Sequence, residues 1–293
     1  MTLEELVGQD YTLIGKGRYI RALEHNSLVI DTEEQVFYWN SKQIFGGIYD
    51  WLTKIKGISH AEAKKYKVDR PASIFDRATE NKAVSDIVVL PELVETFYNL
   101  GKNYREYWYD KRGYTDRTIE NFRLGYTGNG WYSIPIYVDG LFRNFQCRRA
   151  DSKVMRPWYR DLGALPFNFA MLNICSTVVL TEGPVDAIML RQYDIPAVSQ
   201  TSGAGALAVY RQYYSRFLGL DKIYICYDND VAGDEGAFRL ARLFGDKAVV
   251  YNLWDFDKGY DITDFFKAGH TAEEFMGLMN GKGKRFYEWT LDV

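Results

Sequence analysis

Cysteine is scarce in this 293-residue chain: Cys147, Cys175 and Cys226 are odd in number, widely spaced and never arranged as CxxC. That excludes a disulfide framework and a cysteine-rich zinc site, and it suits a reducing compartment. All three read as small buried apolar residues. Long hydrophobic runs are also missing. No stretch of about 18 apolar residues exists, which excludes a membrane-spanning helix. The N-terminus, MTLEELVGQDYTLIGKGRY, starts acidic and has no apolar signal core, so the protein is expected to stay in a cytoplasm. No GxxxxGK followed by Ser or Thr occurs anywhere, which excludes a P-loop ATPase. Low-complexity runs and a long disordered tail are absent too.

What is present is globular: 47% hydrophobic and 26% charged residues, enough chain for about two domains. The net charge of −3 argues against a polyanionic partner only until its distribution is read. Residues 141–160, LFRNFQCRRADSKVMRPWYR, hold six basic side chains and one acid. Residues 228–264 hold nine acids and four basic side chains. A basic strip followed by an acidic cluster suits an enzyme that grips a polyanion and needs a metal to approach it.

Residues 1–66 read as a small mixed unit. Apolar stretches at 28–30 and 36–39 predict a hairpin around Asp31–Gln35, and IYDWLTKI has helical spacing. A polar, proline-containing linker follows around 67–90. Residues 91–123 have helical spacing, with Thr115 or Asp116 as a cap for the last helix. Alternation returns in WYSIPIYVDGLFRNF, with Asp139-Gly140 as the hairpin turn. After about 176 strands and helices alternate: TVVLT, PVDAIMLRQY, PAVSQ, a helix over 206–218, KIYICY, AGDEGAFRLARLF, KAVVYNL. That order predicts a largely parallel sheet with right-handed crossovers and helices packed against it. Ligands of such sheets lie beyond the carboxyl ends of the strands.

The acids fall at those ends. EGPVD places Glu182 and Asp186 after TVVLT, YDNDVAG places Asp228 and Asp230 after KIYICY, and GYDITDFF places Asp261 and Asp264 after KAVVYNL and a loop. Mg²⁺ wants oxygen ligands, keeps several waters, and is held by a few carboxylates plus substrate phosphates. A lone Asp-x-Asp is usually a solvated loop; three acidic motifs at correlated strand ends are a stronger signal. Asp186 also reads as an acid favoured by the dipole at a helix start.

Residues 177–266 resemble a Toprim domain, the core shared by bacterial-type DNA primases, some topoisomerases and some nucleases. CYDNDVAGDEGAFRLA is close to the primase version, and GYDITDFF resembles the later acidic motif of primases. The resemblance implies an α/β fold (α+β overall): a central parallel sheet flanked by helices, preceded by a mixed α/β basic subdomain and a small ribbon-like unit. The implied divisions are 1–66, 67–175, 176–270 and a helical tail at 271–293. It implies Mg²⁺ or Mn²⁺ at Glu182, Asp228, Asp230, Asp261 and Asp264, with Glu182, Asp186, Asp228 and Asp230 catalytic.

The likeness extends upstream through RGYTDRTIENFRLGY and WYSIPIYVDGLFRNFQCRRADSK, the order of the primase subdomain whose basic groove contacts single-stranded template and nucleotide. It places Arg148, Arg149 and Lys153 there, with Arg143, Arg156 and Arg160 as weaker candidates. Trp158 and Tyr159 read as base-stacking residues or, more readily, as core. Residues 1–66 read like the primase zinc ribbon without its ligands: Asn40 and Gln43 stand where paired cysteines belong, and His25 is alone. No zinc is therefore expected, and Leu28, Ile30, Phe37, Trp39, Ile48 and Trp51 are the expected core in its place. Only 27 residues follow Phe266, and the family's helicase-binding domain is not among them. The implied activity is metal-dependent, DNA-templated synthesis of short RNA primers, using nucleoside triphosphates, alongside a separate helicase and with no membrane role. A Toprim nuclease and a non-catalytic single-strand-binding accessory are the alternatives.

Overall fold

The computed structural model describes residues 1–42, 44–66, 90–203, 207–285 and 288. Gln43 and nearly all of the expected linker lie outside them. The chain divides into two compact units, Met1–Asn81 with Tyr210–Asp221, and Lys82–Val209 with Lys222–Val293.

The first unit opens with α1 (Leu3–Val7), which Thr2 caps in a capping box with Glu5. An antiparallel meander follows in chain order: β1 (Leu13–Ile14), β2 (Tyr19–Ala22), β3 (Leu28–Asp31), β4 (Val36–Trp39) and β5 (Ile44–Gly46). Short helical turns, α2 (Ile48–Asp50) and α3 (His60–Ala63), close it. Every residue of β3 and β4 is buried, so both faces of this hairpin are covered. On one face lie Leu28, Ile30, Phe37 and Trp39 with Ile48 and Trp51, the expected core. The Trp39 and Trp51 rings stack at 6.1 Å, and Tyr11 meets both edge-on.

Period-two alternation turns Val29, Asp31, Val36 and Tyr38 to the other face. Residues Tyr210–Asp221 cover it. A Cβ at Gly219 would lie 3.2 Å from the Tyr38 ring. Asp31 is fully buried. Its carboxylate accepts from Arg18 Nε at 3.0–3.1 Å, from the amides of Glu33 and Glu34, and from the Tyr214 hydroxyl. Arg18 Nη2 in turn donates to Tyr214 Oη at 2.8 Å. A buried charge this well bonded is tolerated, and losing one partner strands the other.

The second unit begins with α4 (Glu92–Gly101) and α5 (Asp116–Asn121), the latter capped by Thr115 Oγ1. β6 (Gly125–Gly128), β7 (Trp131–Val138), β8 (Leu141–Arg149) and β9 (Met155–Pro157) form a four-stranded antiparallel sheet. The β7–β8 hairpin turns at Asp139-Gly140, both with positive φ. Then comes a six-stranded mixed sheet. Its parallel centre is β12 (Ala197–Gln200), β11 (Thr177–Thr181), β13 (Lys222–Cys226) and β14 (Ala248–Val250), in that order. Antiparallel β10 (Pro166–Phe167) and β15 (Lys284–Arg285) flank it. Helices α6 (Pro184–Gln192), α9 (Val231–Phe244) and α10 (Ile262–Lys267) accompany the sheet, while α7 (Ala208–Gln212) runs into the first unit and α8 (Tyr214–Phe217) belongs to it. α11 (Ala272–Lys282) precedes β15.

Two expectations need amending. The helix expected over 206–218 is two short helices broken at Tyr213. The tail is not purely helical, because Lys284–Arg285 adds a strand to the β14 edge.

Candidate active site

The strand β11 ends at Thr181, whose hydroxyl donates to the Gly183 carbonyl at 2.9 Å. Pro184 then starts α6, where its missing N–H costs nothing. This turn brings Glu182 and Asp186 to the rim. Strand β13 ends one turn before α9, where Asp230 Oδ1 accepts from the Gly233 amide at 2.8 Å. A Cβ at Gly233 would sit 2.1 Å from the Asp228 carbonyl oxygen, so only glycine permits this turn. Asp261 caps α10 in a capping box with Asp264.

Asn229, between the two acids of YDNDVAG, is a residue that sequence reasoning passed over. It is buried, and its Nδ2 donates to the carbonyls of Leu253, Phe256 and Asp257 at 2.9–3.2 Å. Its backbone also pairs with Gly259 and Tyr260. Asn229 therefore fixes the long loop that delivers Asp261.

These elements line a cleft of about 520 Å³ with Glu182, Asp186, Asp228 and Asp261 on one side and Arg148, Lys153 and Arg112 among its other walls. Asp230 and Asp264 stand beside it as helix-capping residues, both exposed. Burial raises the Asp228 carboxyl to about 7, and the charges of Glu182, Asp261 and Asp230 add to that, against Lys153. Burial, then Asp261 and Asp228, raise Asp186 well above the carboxylate range, while Arg112 opposes. Burial also raises Asp261. Thr263 Oγ1 donates to Asp186 Oδ1 at 3.3 Å.

Arg148 and Arg149 part company. Adjacent strand residues face opposite sides. Arg148 pairs with Tyr132 and Met155 and lines the cleft. Its buried Nε has no hydrogen-bond partner among the described residues. Arg149 sits on the other face. It spends its guanidinium on Asp151, at 2.6 and 3.0 Å, and on the Asn129 carbonyl. Arg156 shares that face, stacked 4.0 Å from the Trp131 ring. Arg143, Trp158 and Arg160 are exposed. Trp158 lies edge-on to Phe97, and the Tyr159 amide donates to Asn144.

Arg112 was absent from the expected set. Its loop is clamped to α6: Tyr114 Oη donates to the Val185 carbonyl at 2.7 Å, and Gln192 bonds Gly113 O and the Thr115 amide. Its place in RGY, a turn before α5, was the available signal.

Among the described residues no three His, Cys, Asp or Glu side chains form a ready cation cage. The donor set still fits a hard cation. Carboxylates that hinder one another's ionisation gain from a positive charge between them, and Mg²⁺ takes few protein oxygens when phosphate and water complete its shell.

Residues 179–266 match the family described as Toprim-like. The chain carries a Toprim-like domain. A DNA primase from Clostridium acetobutylicum is 23% identical over 86% of this chain, which spans about half, 51%, of that protein's length. An uncharacterised Bacillus anthracis protein is 33% identical over 24% of the chain, and 20% of its own length is covered. Among solved structures, the zinc-binding and RNA polymerase domains of Aquifex aeolicus primase superpose with a TM-score of 0.57 at 20% identity. The match covers all of this chain and 86% of that one. The primase fragment of the bacteriophage T7 primase-helicase gives 0.53 at 15% identity, covering 86% and 93%. The Toprim-like domain thus sits in a DNA primase-like fold, with Glu182, Asp228 and Asp261 at its strand ends.

Proposed function

We propose that this chain is a metal-dependent nucleotidyltransferase that makes short RNA primers on single-stranded DNA from nucleoside triphosphates. The observation that carries the proposal is the meeting of Glu182, Asp186, Asp228 and Asp261 with Arg112, Arg148 and Lys153 in one cleft. The acids suit a cation and the bases suit phosphates.

Glu182, Asp228, Asp230, Asp261 and Asp264 hold Mg²⁺ or Mn²⁺ in this reading, Asp230 and Asp264 while also bonding the helix starts beside the cleft. The bound metal supplies Lewis-acid stabilisation of phosphoryl charge. Arg148 and Lys153 grip phosphate, and the charge of Lys153 also eases ionisation of Asp228. Asp228, which burial and the acids around it make hard to ionise without a cation, becomes a ligand when the cation binds, and Glu182 serves as a ligand or in general acid–base work. Arg112 counters the charge of Asp186 and Asp261 from the α6 side.

The N-terminal unit serves template engagement as a ribbon-like module held by apolar packing instead of zinc. The divisions at 66, 175 and 270 separate it, the basic subdomain, the Toprim-like domain and the tail. A cytoplasmic, phage- or mobile-element-like setting with a separate replicative helicase completes the proposal. Among the described residues no helix is long and apolar enough to cross a membrane.

Labelled ribonucleotides with single-stranded template and Mg²⁺ or Mn²⁺ test the reading. New short RNA is the expected product. Template loss means a nuclease. Neither product means a binding accessory.

A further inference from the structure

The lining of the cleft includes a polar side chain that no step above uses. Gln146 lies on β8, two residues before Arg148, and so on the same face of the strand. It lines the cleft beside Met155 and Pro157 and is only 4% exposed. Among the described residues its carboxamide has no hydrogen-bond partner, although its backbone pairs with Ile134 and Pro157. Asn144, two residues earlier on the same strand, bonds the Tyr159 carbonyl and two backbone amides. The Gln146 carboxamide thus faces the cleft without a protein partner among the described residues, which places it to bond a ligand group there.

The chemistry of the amide narrows that partner. A carboxamide offers two donors and an acceptor. Phosphate oxygens only accept, and three cations already line the cleft for them. A neutral side chain with both functions, flanked by the apolar Met155 and Pro157, matches a neutral group that both donates and accepts. On a nucleotide that is a sugar hydroxyl or a base edge. We infer that Gln146 is a specificity residue that hydrogen-bonds the nucleoside portion of a nucleotide whose phosphates face Arg148 and Lys153. This rests on the nucleotide reading of the cleft and adds which end of the ligand lies where.

The test is binding, measured by titration calorimetry of the full chain with Mg²⁺ present. The probes are ATP, 2′-deoxy-ATP, GTP and inorganic tripolyphosphate, and the variant is Gln146→Met, which keeps the length of the side chain and removes the amide. Gln146→Leu serves as a second apolar variant, and thermal melting checks both for folding. The expected result is a fall in ATP affinity of about tenfold, the loss of one buried hydrogen bond, with tripolyphosphate affinity unchanged. A fall for ATP but not for 2′-deoxy-ATP assigns the contact to the sugar hydroxyl; a fall for both adenine nucleotides but not for GTP assigns it to the base. Both support the inference. Equal ATP affinity in folded variant and parent overturns it while leaving the nucleotide reading intact. Equal losses for ATP and tripolyphosphate also overturn it, since the side chain then acts on the phosphate end. A parent protein that binds tripolyphosphate and ATP equally weakly, or not at all, overturns both.

Discussion

Burial, and then the acids around it, make Asp228 hard to ionise, and the consequence can be measured. Its carboxyl ionises near 7 in the folded chain against about 3.8 as a free side chain. Between about pH 4 and pH 7 the folded state therefore holds a proton that the unfolded chain has lost. Metal-free stability should fall as pH rises through that window, and added Mg²⁺ should recover part of the loss above it. Melts of metal-free protein from pH 5 to pH 8 should show this decline. Asp228→Asn should flatten it, melt higher at pH 8, and make no primer. An identical pH trend in variant and parent would remove the charge argument. Asp230→Asn keeps an oxygen that caps α9, so it should fold and still lose synthesis. The two adjacent arginines give a paired test. Arg148→Ala should lower the log–log salt slope of single-strand binding by about 0.7. Arg149→Ala should leave the slope nearly unchanged, because Asp151 already holds that guanidinium. Equal slopes for the two variants would show that strand alternation does not sort them.

At the level of the element, the turn from β13 into α9 and the loop that Asn229 anchors decide where Asp261 lies. Asn229→Ala removes the donor from three carbonyls. A loss of roughly 1–3 kcal/mol is expected in urea unfolding, with slower primer synthesis and unaltered tripolyphosphate binding. Undiminished stability would mean that the loop holds itself. Glu182 and Asp228 were legible in the sequence because each follows a buried strand whose end can be read from its hydrophobic run, and Asp261 because GYDITDFF opens a helix after a loop. The positioning residues were not. Asn229 acts through carbonyls 24 to 28 residues away, a distance at which local patterns are silent. Arg112 reaches the cleft only through the clamp between its loop and α6. Arg149 could have been set aside from the sequence, since a neighbour of Arg148 on a strand must face the other way. The break at Tyr213 and the strand at Lys284–Arg285 escaped because two short helices share one period and a two-residue strand has none.

For the molecule as a whole, the question is what holds the first unit together. Aromatic packing answers it on one face and the Asp31 network on the other. Trp39→Ala should cost about 3–5 kcal/mol, read as a lower urea midpoint for the first unit; a loss below about 1 kcal/mol would place the stability elsewhere. Purified protein should carry no stoichiometric zinc and should melt at the same temperature after chelation. About one zinc per chain, lost together with folding, would reverse this account. The participation of Tyr210–Asp221 in the first unit also bears on the order of events at the ribosome. The meander is made first, yet the Tyr214 partner of Asp31 and Arg18 lies 183 residues beyond Asp31. At about 5–20 residues per second, roughly 10–40 s of synthesis separate the two. Throughout that interval the β3–β4 hairpin has one uncovered face and a charge pair short of its hydroxyl, so the first unit cannot finish folding until residues 210–221 have been made.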